Sequence, residues 1–210
     1  MSVPMSYSVW LKPAPDSALG RSLAKMVARH AAELGTPAFA PHVTLLGGFT
    51  AEDDVRATPC VAQLHTLRAE ACVHRPQDAA LRATRALADR VRALSPLPRC
   101  RAKSVQAGRL YYQCVYVLCE DDQALTAAHQ LARDVFSSAG SAGPTFMPHA
   151  SVVYGDLDEA EKAARAASVA DELAPLLASG EASFTPTALA LWRTRAGHTT
   201  EWTEVAEVPL

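Results

Sequence analysis

Pro41-His42-Val43-Thr44-Leu45-Leu46 decides how this chain is read, because it returns in the second half as Pro148-His149-Ala150-Ser151-Val152-Val153. Each copy is a proline, a histidine, one spacer, a small hydroxyl residue and then aliphatics. Apolar flanks of this kind predict a strand, and in a strand residues i and i+2 face the same side. His42 and Thr44 therefore present together, as do His149 and Ser151. Neither histidine is accompanied by a third ligand motif, so a zinc site has too few donors here.

Working outward, the chain alternates strands and helices. Tyr7 to Leu11 reads as a strand closed by Pro13 and Pro15. Asp16 or Ser17 caps a helix to about Glu33, with Leu19, Leu23, Met26, Val27 and Ala31 on one face and Gly35 ending it. The first motif strand, Ala38 to Phe49, comes next. Thr50 and Asp53 have capping-box spacing for a second helix, and alanine- and arginine-rich helical sequence runs from about Leu64 to Pro98.

Strands are expected over Cys100 to Val105 and Leu110 to Glu120, the second rich in aromatic and β-branched residues. A helix from about Asp122 to Ser137 leads to the second motif strand, Phe146 to Tyr154. Asp156 and Glu159 open another helix ending near Gly180. Strands Ser183 to Arg195 and Thr200 to Val208 close the chain as a hairpin around Gly197. One motif in each half suggests an internal duplication facing itself across a cleft.

The 210 residues are 49% apolar and 20% charged, with a net charge of -2. That balance fits a soluble protein with a real core. It argues against a long nucleic-acid groove while allowing a small phosphate ligand in a local pocket. No apolar run reaches the roughly 20 residues of a membrane span. The start of the chain has no secretory pattern, so the cytoplasm is the expected location. Cys60, Cys72, Cys100, Cys114 and Cys119 lack C-x-x-C spacing and read as buried free thiols.

The chain resembles the 2H phosphoesterases, which are named for two His-x-Thr/Ser motifs. Within them it is most similar to the cyclic phosphodiesterases. The resemblance rests on Tyr7 to Trp10, Phe39 to Leu45, Tyr112 to Tyr116, Met147 to Tyr154, Leu189 to Trp192 and Trp202 to Ala206. It implies an α+β, bilobal fold with two antiparallel sheets lining a central groove. Residues 1–210 would form a single domain of two pseudo-symmetric lobes, with a helical insertion around 65–98.

The implied activity is metal-independent opening of ADP-ribose 1″,2″-cyclic phosphate, a tRNA-splicing by-product, and of nucleoside 2′,3′-cyclic phosphates. No cofactor is implied. His42 and His149 would be catalytic, and Thr44 and Ser151 their hydroxyl partners at the phosphate. Tyr154 would lie near the substrate and Tyr112 would offer a ring to a nucleobase. The expected partner is a small cyclic phosphate, with RNA ends as a second class, on a monomer with no membrane contact. Competing readings are an RNA-end 2′,3′-cyclic phosphate or 2′-5′ ligase-like enzyme and a non-catalytic nucleotide-binding module.

Blander roles fall to the remaining residues. His30, His65, His74, His129 and His198 read as surface or structural. Arg82, Arg85, Arg90 and Arg92 read as a solvated helix face. Trp10, Trp192 and Trp202 read as core, and Tyr112 and Tyr116 share a strand face opposite Tyr111. Tyr154 has the wrong parity to join His149 unless the strand bends.

Overall fold

The computed structural model describes residues 6–50, 76–136, 146–195 and 199–210. Eight strands and four helices appear in these residues: β1 Ser6–Pro13, α1 Ala18–Leu34, β2 Val43–Phe49, α2 Pro76–Arg92, β3 Cys100–Ala107, β4 Val115–Cys119, α3 Gln123–Val135, β5 His149–Val153, α4 Glu159–Ser179, β6 Ser183–Phe184, β7 Pro186–Thr194 and β8 Thr203–Pro209. The class is α+β, and every strand pairing is antiparallel.

Where two sheets are expected from the sequence, the strands join in one sheet of order β6-β3-β4-β5-β2-β1-β7-β8. It falls into two sets of four that meet at β5 and β2. Helices α1 and α4 pack together over the first set, while α2 and α3 pack together over the second. The sheet has to curl. Strands β6 and β7 belong to different sets, yet Thr185 alone separates them in the chain.

Local chemistry explains several helix ends. Ser17 Oγ accepts from Gly20 N at 3.1 Å, and Gly35 takes the left-handed conformation that ends α1. Asp122 caps α3 through Leu125 N at 2.6 Å. The cap of α4 is Asp158, two residues beyond the expected Asp156, with its carboxylate on Glu161 N at 2.8 Å. The expected 64–98 helix is helical over Pro76–Arg92, while the expectation for residues 64–75 and for a helix start at Asp53 lies outside the described residues.

Two expected strands are broken. Leu110–Gln113 is a tight turn rather than strand: Gln113 N bonds Leu110 O at 2.9 Å and Gly108 N bonds Cys114 O at 2.9 Å. Only glycine fits at 108, where a Cβ would sit 2.0 Å from Gln113 O. The parity reading of Tyr111 and Tyr112 fails for that reason. Ser183 to Arg195 splits at Thr185, one piece pairing β3 and the other β1.

Val9, Leu11, Val43, Leu45, Ala150 and Val152 are in the buried core. Alternation along β2 and β5 then turns His42, Thr44, His149 and Ser151 to the other face. Cys100, Cys114 and Cys119 are buried free thiols, while Cys60 and Cys72 lie outside the described residues. No helix among the described residues is long and apolar enough to cross a membrane.

Candidate active site

Strands β2 and β5 meet with Val43 opposite Ala150. In antiparallel register, one step either way sets His42 opposite Ser151 and Thr44 opposite His149. Directly opposed residues have Cβ atoms about 4.5–5.5 Å apart. Each histidine thus faces the other motif's hydroxyl, and the four side chains form a compact square on one face.

The two imidazoles are held alike. His42 Nδ1 donates to Ala40 O at 2.7 Å, and His149 Nδ1 donates to Met147 O at 2.9 Å. A carbonyl only accepts, so the proton sits on Nδ1 in each neutral ring and Nε2 offers its lone pair. His42 is 5% exposed and lies flat on Trp10. Burial, opposed by the Ala40 hydrogen bond and helped by neighbouring His149, pushes its pKa down to about 4. Burial also lowers His149, less completely, against the bond to Met147. Their electrostatic coupling agrees with the register: the two rings are neighbours.

The hydroxyls differ. Ser151 is buried, and its Oγ donates to Tyr112 O at 2.9 Å. Among the described residues the half-buried Thr44 hydroxyl has no hydrogen-bond partner. Tyr154, just past β5, is buried, touches Ser151 through its hydroxyl and stacks on Phe39 with centroids 3.8 Å apart. Burial raises its pKa, so it stays a neutral phenol. Tyr112 is half-buried in the same aromatic group, 5.4 Å from Tyr154 and 5.3 Å from Trp202.

A cavity of about 450 Å³ lies beside Trp10, the indole that stacks on His42. Trp10, Phe39, Ala40, Trp192, Thr200 and Trp202 contribute to its walls. Trp192 Nε1 is buried and has no hydrogen-bond partner among the described residues. The tryptophans read as core are therefore also walls, with Trp192 and Trp202 only half-buried. Tyr116 meets the His149 ring edge-on at 5.0 Å, and Gln113 Nε2 lies 3.2 Å from His149 Nε2. The nearest sequence signal for Gln113 was its place between the aromatic residues of 111–116.

The bland assignments hold for several residues. His30 is buried between Arg29 and Arg165. His129 Nδ1 bonds Leu45 O at 2.7 Å and its ring stacks on Phe146. His65, His74 and His198 lie outside the described residues. Arg82, Arg85, Arg90 and Arg92 are exposed on α2; Arg90 pairs with Asp134 and Arg92 with Asp89. Among the described residues no three His, Cys, Asp or Glu side chains are grouped as metal ligands.

No curated protein matches the chain. Among solved structures, Kluyveromyces marxianus Usb1 is similar at 10% identity and a TM-score of 0.43, covering 100% of this chain and 99% of that one. Its structure with uridine monophosphate gives 9% identity and a TM-score of 0.44, with 98% of each chain covered. Likeness this loose decides nothing about activity. A family model described as cyclic phosphodiesterase-like protein matches residues 5–210. Matched over nearly its whole length, the chain belongs to the cyclic phosphodiesterase-like protein family.

Proposed function

We propose that this protein hydrolyses small cyclic phosphodiesters, ADP-ribose 1″,2″-cyclic phosphate and nucleoside 2′,3′-cyclic phosphates, without a metal. The products are ADP-ribose 1″-phosphate and nucleoside 2′-phosphates. The observation that carries this reading is the pairing of Val43 with Ala150, whose register supports a shared face for His42, Thr44, His149 and Ser151. Family membership supports it.

In the reaction His149 Nε2 takes one proton from water as the water oxygen attacks phosphorus. The bond from phosphorus to the ribose 3′ oxygen of a nucleoside substrate, or to the 2″ oxygen of the ADP-ribose substrate, breaks, and protonated His42 gives that oxygen its proton. Each such transfer contributes about 100- to 10,000-fold. Burial disfavours the His42 imidazolium in the empty site, and the bound phosphate anion offsets that cost. Thr44 donates to a non-bridging oxygen, and Ser151 does so after turning from Tyr112 O.

The chain is read as one domain over residues 1–210, with the two sets of four strands as its lobes and 65–98 as an insertion. Sugar and base occupy the aromatic cavity beside Trp10, with Tyr112 against its Trp202 wall and Tyr154 against its Phe39 wall. A second reading, RNA-end processing, is weakened by the acidic partners of Arg90 and Arg92.

The test is hydrolysis of 2′,3′-cyclic AMP and ADP-ribose 1″,2″-cyclic phosphate in excess EDTA, beside an oligonucleotide bearing a 2′,3′-cyclic end. Turnover of the small substrates in chelator is expected. Activity that disappears with EDTA and returns with zinc would reject the metal-free scheme, and preference for the oligonucleotide would favour the second reading.

A further inference from the structure

Resting on the hydrolase reading, we propose that Gln113 is a positioning residue that keeps His149 Nε2 aimed at the phosphate and turns its carboxamide to match the ring's protonation. His42 is immobilised by a flat stack on Trp10, whereas among the described residues the aromatic contact of His149 is the edge of Tyr116. The contact from Gln113 Nε2 to His149 Nε2, at 3.2 Å, supplies the second point of attachment. With Nδ1–H committed to Met147 O, His149 Nε2 accepts and the amide donates.

The amide is placed by a built turn. Ser151 Oγ and Gly155 N hold the carbonyls of Tyr112 and Tyr111 at 2.9 and 3.2 Å. Gly108 N holds Cys114 O, and the mostly buried Lys162 donates to Gly108 O at 3.2 Å. In the empty site the same motif serine that faces His42 thus anchors the turn that carries Gln113 to His149, and Gly155 N and Gly108 N hold that turn when Ser151 turns to the phosphate.

The chemistry suits a base whose proton content changes each turnover. Neutral His149 takes the amide N–H; protonated His149 needs an acceptor, and half a rotation of the carboxamide brings Oε1 to it. A carboxylate at 113 would serve only the charged ring, and an apolar side chain neither. Until water arrives, the amide also covers the lone pair that will receive the proton. Among the described residues the titratable groups facing His149 are His42, just before β2, and Tyr116 from β4.

The experiment follows the His149 ring protons by NMR across pH in wild type, Gln113→Glu and Gln113→Met, with exposed Gln77→Glu as control, and pairs this with kinetics on 2′,3′-cyclic AMP. Gln113→Glu is expected to raise the His149 midpoint by about one pH unit or more, while Gln77→Glu leaves it in place. Gln113→Met is expected to lower kcat by about 10- to 100-fold, with KM little changed. A His149 midpoint and kcat unmoved in folded Gln113→Met, or a midpoint unmoved in folded Gln113→Glu, would overturn the proposal; should one variant not fold, the other decides. The titration needs no turnover, so an inactive wild type would sink the hydrolase reading and still leave this measurement to judge Gln113.

Discussion

The imidazole of His42 lies face to face with the indole of Trp10, ring centroids 3.6 Å apart and planes 7° from parallel. Trp10 continues the stack to Trp192 at 4.3 Å. An indole face favours a desolvated cation by about 2 kcal/mol or somewhat more. Burial acts the other way and wins, since a fall from the ordinary 6.5 to about 4 corresponds to roughly 3 kcal/mol. Trp10→Ala should admit water, raise the His42 midpoint toward 6.5 and cost about 3–5 kcal/mol of stability. NMR titration with urea denaturation checks both, and a midpoint that stays near 4 would refute the burial argument.

The same burial predicts acid sensitivity of the fold. Unfolded histidines bind protons near pH 6.5, while His42 in the folded chain waits until about 4, and His149 and His30 are shifted in the same direction. Between those values the unfolded state holds more protons, so stability falls as pH falls. Urea midpoints at pH 7 and 4.5 should show the loss, and His42→Gln should shrink it. Equal pH dependence in that variant would contradict the assignment.

For catalysis, kcat/KM reports the free protein and kcat the complex. With both histidines lowered when the site is empty, the kcat/KM optimum should fall on the acid side of pH 6.5. A bound phosphate monoanion favours imidazolium, so the kcat profile should move to higher pH. Superimposable profiles would show that the phosphate does not sit between the rings.

Gly108→Ala should disturb the site from a distance. Its methyl would meet Gln113 O at 2.0 Å, a backbone atom that cannot rotate aside. Overpacking of this kind costs about 1–3 kcal/mol. The turn carrying Tyr112 and Gln113 should shift, lowering kcat more than a comparable loss of stability elsewhere does. Calorimetry with steady-state kinetics separates the two, and a fully active variant would show that the turn is not coupled to the site.

What could be read from the sequence was local. Parity within each motif, the Ser17 and Gly35 caps and the exposed arginine face of α2 all follow from periodicity and nearby residues. What escaped was set by distant pairings. The register that opposes Val43 to Ala150 has no local signal, and neither does the departure of the chain to another strand partner at Thr185. Gly108 marked a turn, but the aromatic run after it imitated a strand, which hid Gln113. Trp10 carried the signature of a core residue and is one; its second role exists only because His42 lies across the sheet from it.

The central claim is that His42 and His149 act as one device on one phosphorus atom. The most direct measurement compares kcat for 2′,3′-cyclic AMP in His42→Ala, His149→Ala and the double variant. Each single change should cost at least about 100-fold, and the double should be little worse than either, because groups that act as a unit fail together. A single variant at the wild-type rate, or a double variant whose loss is the product of the two, would contradict the claim.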